Sequence, residues 1–382
     1  MDSFAVRILA MNRTPLLLPF LLFLSCSNAQ SGDSKSAAAH AAEPIAASDS
    51  LIHPLEKHFK SLKQLTFGGD NAEAYWSFDG SKLIFQSTNP AWGETCDQIH
   101  VFDPFMDDLR KGEPVLISVE GGRTTCSYFL PGDSLVLFAS AHEANASCPA
   151  VPERRTDGKY VWPIYPSFDI YVSGLDGKIR KQLTHTPGYD AEATVSPKGD
   201  RIVFTSMRDG DMDLYTMKID GSDVRRVTNT LGYDGGAFFS PDGTKLLWRA
   251  SRPGTAEEAA EYKELLKQGL VMPTNMELYI ANADGSDARR ITALGKANWA
   301  PFWHPSGNKV IFASNHQSPR GFPFTLFMIG TDGTGLEQVS YGDTFDAFPV
   351  FSPDGRHLVF SSNRNNGGTH ETNLFLAEWQ DL

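Results

Sequence analysis

A short apolar run recurs six times along the chain: Leu83-Ile84-Phe85, Leu135-Val136-Leu137-Phe138, Ile202-Val203-Phe204, Leu246-Leu247-Trp248, Val310-Ile311-Phe312 and Leu358-Val359-Phe360. Turn-forming residues precede each run: Ser77-Phe78-Asp79-Gly80, Leu130-Pro131-Gly132, Ser196-Pro197-Lys198-Gly199, Ser240-Pro241-Asp242-Gly243, His304-Pro305-Ser306-Gly307 and Ser352-Pro353-Asp354-Gly355. Proline sets φ for a turn and glycine supplies the left-handed position, so each unit predicts a tight hairpin that opens into a buried strand. A third strand follows, as in Asp169-Ile170-Tyr171-Val172 or Glu277-Leu278-Tyr279-Ile280. A second turn, such as Asp220-Gly221 or Asp284-Gly285, leads to a fourth strand that ends in Leu183-Thr184, Val227-Thr228, Ile291-Thr292 or Val339-Ser340.

Four strands repeated six times predict an all-β, six-bladed β-propeller. The last unit ends after its third strand, Asn373-Leu374-Phe375-Leu376, and the missing fourth strand stands at the other end, where Lys63-Gln64-Leu65-Thr66 repeats Lys181-Gln182-Leu183-Thr184. An N-terminal strand is therefore expected to close the ring and leave no open sheet edge. The Ser-Pro-Asp-Gly, Asp-Gly-Ser and Leu-Thr pattern resembles the TolB-like (PD40, WD40-related) propeller repeat over about residues 62–382. The resemblance implies the fold and a bacterial envelope compartment; it does not carry over the role of TolB itself.

The repeats also show where they diverge. Steps from the end of the second strand to the third (Asn89 to Gln98, His142 to Asp169, Arg208 to Asp213, Arg252 to Glu277, His316 to Thr325, Arg364 to Asn373) are 9, 27, 5, 25, 9 and 9 residues. These loops share one face of a propeller, and insertions concentrated on one face mark a binding side. The blade-four insert predicts a short helix, with a Thr255/Glu258 capping box, a stop at Gly269, and Ala259, Tyr262 and Leu266 on one side. The blade-two insert is rich in Pro and aromatics (Tyr160, Trp162, Pro163, Tyr165, Pro166). Cys96, Cys126 and Cys148 all map to this side, so a disulfide from Cys148 to Cys96 or Cys126 is expected to staple the insert. Trp92, Trp162 and Trp299 are candidates to stack a sugar or a peptide aromatic.

A polar residue opens each innermost strand, 18 positions before the end of the second strand. The pairs are Asn71/Asn89, Thr124/His142, Asp190/Arg208, Asp234/Arg252, Asn298/His316 and Asp346/Arg364, with Asp present only where Arg is. An Asp–Arg contact within each of three blades is the simple account. Glu73 and Glu192 lie two residues into their strands with no Arg column to answer them. Together with His142 and His316 they are the candidates for a central site: the carboxylates for ligand binding, the two histidines as ligands for a divalent cation in the channel. The Asp209-Gly210-Asp211-Met212-Asp213 stretch lacks the downstream Glu of a calcium loop and reads as a turn.

The N-terminus reads as an address. Leu16 to Leu24 form an apolar run too short to span a bilayer, followed by Ser25-Cys26, which resembles the lipobox of bacterial lipoproteins. Residues 1–26 are expected to be the signal, with lipidation at Cys26; residues 27–52 a flexible tether; and 53–382 the propeller. The net charge of −12, without a basic cluster, argues against nucleic acid as a partner. No G-x-S-x-G, H-E-x-x-H or phosphate-binding glycine motif is present. The expected role is a binding or scaffold module for an envelope protein, peptide or glycan on the insert-bearing face, membrane-attached through its lipid, in the periplasm or at the outer membrane. The alternative is a metal-dependent glycan-active enzyme working at the channel.

Overall fold

The computed structural model describes residues 51–382 with the exceptions of 120, 154 and 320; the expected signal, the lipidation site Cys26 and nearly all of the tether lie outside the described residues. Six four-stranded antiparallel sheets form a six-bladed propeller. Blades one to five span residues 70–116, 124–182, 190–226, 234–290 and 298–338, and blade six spans 346–379. The fourth strand of blade six is Phe59–Gln64, which pairs antiparallel with Asn373–Trp379 in a register that sets Leu62 against Ala377 and Gln64 against Phe375. The segment before it is wedged between blades five and six. Arg364 donates to both Glu56 carboxylate oxygens (3.1 and 3.2 Å) and to Leu51 O (3.1 Å), and Tyr341 N donates to Glu56 (3.1 Å).

Each blade is built on one aromatic of its second strand: Phe85, Phe138, Phe204, Trp248, Phe312 and Phe360, all fully buried. Directly across in the third strand stand His100, Tyr171, Tyr215, Tyr279, Phe327 and Phe375. Burying one such ring stabilises the fold by roughly 1.5–3 kcal/mol, which is why the hydrophobic repeat alone specifies the blade. The hairpins close as the Ser-x-Asp-Gly sequence demands. Ser77, Ser240 and Ser352 each donate through Oγ to the Asp two residues on (2.5–2.7 Å).

The two long inserts meet. Trp162–Pro163 of the blade-two insert pairs antiparallel with Leu270–Val271 of the blade-four insert, above the short turn of blade three. The blade-four helix runs Ala256–Lys267 with both halves of the capping box made and Gly269 left-handed just beyond it. Its buried residues are Tyr262, Leu265 and Leu266, whereas Ala259 is only half-buried. Tyr262 donates to Asp211 (2.6 Å), so the acidic blade-three turn anchors the helix.

Candidate functional site

Two rings of equivalent residues surround the channel. The outer ring is the rim, where innermost strands begin and second strands end. All three Asp–Arg contacts form: Asp190–Arg208 at 3.1 Å, Asp234–Arg252 at 2.5 Å and Asp346–Arg364 at 2.8 Å. Where Asp is replaced by Asn, a serine satisfies it: Ser87 donates to Asn71 (3.0 Å) and Ser314 to Asn298 (2.7 Å). The basic member caps the aromatic pair of its own blade. Arg208 lies 4.8 Å from the Tyr215 ring, Arg252 5.1 Å from Tyr279 and Arg364 5.2 Å from Phe360.

His142 and His316 occupy this same structural place. Their rings lie 4.5 Å from Tyr171 and 4.5 Å from Phe327, and their Nδ1 atoms bond Ser140 and Ser314 (2.9 Å each). They stand on blades two and five, each packed on an aromatic of its own blade, and among the described residues no contact joins them. Burial lowers the pKa of both. Among the described residues no group of three or more His, Cys, Asp or Glu is placed to hold a metal ion. In blade one the cap is Trp92, carried on the short turn Pro90–Trp92 and packed on Phe85 and His100 (centroids 6.4 and 5.3 Å). Trp92 is thus a blade cap, away from the other two candidate tryptophans.

The inner ring lies two residues further into each innermost strand. Glu73, Cys126, Glu192, Gly236, Ala300 and Phe348 all have positive φ, between 46° and 61°, at a shift in strand register. Side-chain-bearing residues adopt this conformation at a cost of about 1–3 kcal/mol each, yet five of the six positions carry a side chain. The bulge turns all six residues toward the channel axis, where they line one small cavity of about 30 Å³. A second cavity of about 60 Å³ lies between this floor and the insert ribbon, walled by Tyr160, Trp162, Trp299 and Phe348. Trp162 and Trp299 stand 5.0 Å apart, so two of the three candidate tryptophans do meet. The indole N–H groups are occupied, Trp162 donating to Tyr160 (3.1 Å) and Trp299 to Pro273 O (2.8 Å).

The two inner-ring carboxylates differ sharply. Glu192 is answered, contrary to the sequence expectation, by Arg249 of blade four (2.7 Å). Glu192 also accepts from Tyr233 (2.7 Å), Thr205 (2.8 Å) and Gly236 N (2.9 Å). The guanidinium lies 5.3 Å from the Trp162 ring and 5.6 Å from that of Tyr233. Room for this cluster comes from Gly235-Gly236: a Cβ on Gly235 would fall 2.2 Å from Glu192 Oε2, and one on Gly236 2.7 Å from Arg249 Nη1. Sequence comparison of the repeats held a signal for it. The position of Arg249 is Gln86, Ala139, Thr205, Ala313 and Ser361 in the other blades, and the one long cation in this column faces the innermost strand that carries Gly-Gly at its inner-ring position.

Glu73 has no such partner. It is half-buried in the cavity wall, and among the described residues no Lys, Arg or His forms an ion pair with it. Burial raises its carboxyl to about 7, opposed by a hydrogen bond with Cys126 and by the charge of Arg249. Cys126 sits beside it at the floor, its thiol pKa pushed well up by burial. This corrects the disulfide expectation. All three cysteines in the propeller are free, and Cys126 belongs to the inner ring rather than to the insert. Cys96 and Cys148 do adjoin each other as thiols, Cys96 donating to Gly122 O (3.1 Å). Beside them Arg123 is bound to Asp97 in a buried ion pair.

Comparison with known proteins agrees with this architecture. Residues 166–270 match the family described as the TolB beta propeller domain. An uncharacterized protein of Agrobacterium fabrum is 28% identical over 205 residues, a stretch covering 50% of this chain and 46% of that protein. The match thus spans about half of that relative's length. Among solved structures, a protein of Agrobacterium tumefaciens assigned as a TolB is similar with a TM-score of 0.53 at 20% identity, covering 82% of this chain and 91% of that one. An oligogalacturonate lyase in complex with manganese has a TM-score of 0.50 at 13% identity, covering 86% of this chain and 95% of that one. At such identities the likeness is one of fold.

Proposed function

From the premise that this chain carries a TolB-like six-bladed β-propeller, we propose that it is an exported binding module that engages an envelope protein, peptide or polymer at its insert-bearing face. The observation that carries the reading is the ribbon joining the two longest loops of the ring, which sets Trp162 over the channel beside Trp299, Arg249 and Glu73. The insert aromatics Tyr160 and Trp162 pack on the propeller core and at the same time wall a cavity, so the loop offers a lined recess as well as a brace. That cavity, about 60 Å³, has room for a few waters or one small group. A partner therefore inserts a side chain or chain end, or else the ribbon lifts to admit more.

Attachment to the membrane through a lipid on Cys26, with residues 27–52 as the tether, belongs to the same proposal and rests on the lipobox-like Ser25-Cys26. The glycan-active metalloenzyme reading has no comparable support, because His142 and His316 serve as caps of separate blades. The test is capture from the native envelope by the immobilised mature protein, compared with Trp162→Ala. The variant is expected to lose most of the captured partner while its unfolding midpoint stays near that of the parent. Undiminished capture by the variant would refute the channel mouth as the site.

A further inference from the structure

We propose that the cavity beneath the insert ribbon recognises a primary ammonium group, with Glu73 as its counter-ion; this deepens the binding-module reading and rests on it. The argument begins with charge. The ionisable side chains of the cavity wall include Asp97, Arg123, Glu192, Arg249 and Glu73. Asp97 with Arg123 and Glu192 with Arg249 form two internal ion pairs. Glu73 remains, so the wall balances when one positive charge arrives.

Geometry supports the same chemistry. The bulge at Glu73 (φ 54°) holds its side chain in the cavity wall, at a backbone cost the fold has accepted. Tyr160, Trp162, Trp299 and Phe348 line the same cavity, and aromatic rings are the side chains that attract a cation. The volume accommodates an ammonium head and excludes a sugar ring while the ribbon is shut. Glu192, at the equivalent position of blade three, shows the arrangement already filled: a carboxylate, a cation and two aromatic rings, Trp162 and Tyr233, about the cation.

The groups that face Glu73 are Cys126 from blade two, Glu192 from blade three, Arg249 from blade four, and Asp97 and Tyr75 from its own blade. Blades five and six present Ala300 and Phe348, which carry no charge. An ammonium ion binds the ionised carboxylate, so binding expels the proton that burial retains on Glu73. Affinity then rises with pH up to about 7 and levels off above it.

The experiment titrates n-butylammonium into the full mature chain and follows tryptophan emission, since Trp162 and Trp299 wall the cavity. Saturable binding at pH 8, weakened about tenfold at pH 6, absent with butan-1-ol and lost in Glu73→Gln is expected. An equal response to the alcohol, an affinity indifferent to pH, or unchanged binding in Glu73→Gln would overturn the proposal. The pH series on the unaltered chain decides even if the variant fails to fold. Nα-acetyl-lysine amide binding tighter than cadaverine assigns the group to a peptide side chain, and the reverse assigns it to a free diamine. If ammonium binding fails while Trp162-dependent capture persists, only the ligand class is wrong. If both fail, the channel mouth is not the site.

Discussion

The rim and the floor of the channel repeat in opposite ways. At the rim the chemistry changes from blade to blade while the task stays the same: Arg, His or Trp covers an aromatic pair. At the floor the backbone is repeated six times, with φ between 46° and 61°, while the side chains range over two Glu and one each of Cys, Gly, Ala and Phe. A position whose task is constant tolerates exchange among residues that perform it. A position whose geometry is constant but whose side chains diverge has been released from the structural repeat. The floor, rather than the rim, is where this propeller departs from its own pattern.

That contrast can be broken experimentally, most forcefully at Arg249. Arg249→Met leaves Glu192 enclosed without its cation and is expected to destabilise the fold by about 3–5 kcal/mol in denaturant unfolding. Adding Glu192→Gln should restore a large part of the loss. A loss in the single variant that is no larger than for a surface arginine would show that the floor pair is not structurally coupled.

Glu73 should behave in the opposite sense. Its carboxyl is raised by burial from 4.5 to about 7, so the folded chain keeps a proton that the unfolded chain releases. Wild-type stability therefore falls as pH rises from about 4.5 to 7 and is flat beyond. Glu73→Gln removes this penalty: it is expected to stabilise by about 1–2 kcal/mol at pH 8 and to be nearly neutral below pH 4.5. Equal effects at both pH values would mean that the carboxyl is solvated like a surface group.

Ala300→Gly relieves a strained φ of 46° without removing any polar contact, and should raise stability by about 0.5–1 kcal/mol in thermal unfolding. The smallest effect belongs to the rim. His142→Arg should change stability by no more than about 0.5 kcal/mol, because arginine caps the same aromatic pair in blades three and four. A larger change would return His142 to the list of functional candidates.

The ring was legible in the sequence because its determinants are local and repeated. Hairpin residues, one buried aromatic per second strand and the displaced Lys63-Gln64-Leu65-Thr66 strand can all be found by comparing units of one chain. The rim ion pairs were legible for the same reason, since both members belong to one blade. The floor cluster was legible only in part: Arg249 stands out in its column of the repeats, but its partner Glu192 belongs to another blade and no repeat position pairs the two. The pairing of the two inserts was hidden likewise: Trp162–Pro163 and Leu270–Val271 are two residues each and lie over 100 positions apart. The shared face of the cysteines was a sound guide for Cys96 and Cys148, which lie side by side, but not for Cys126, which faces inward from a bulge.

The closure of blade six has a mechanical consequence. Its outermost strand is contributed by the N-terminal side, and just ahead of that strand Glu56 is gripped by Arg364, which also holds Asp346. Tension arriving along the polypeptide from residue 50 would load that three-membered grip before it reached the ladder of Phe59–Gln64. The circle is thus shielded from unzipping by a lock placed upstream of its seam. A propeller tugged from this end would yield first at a charge cluster and only afterwards at a sheet.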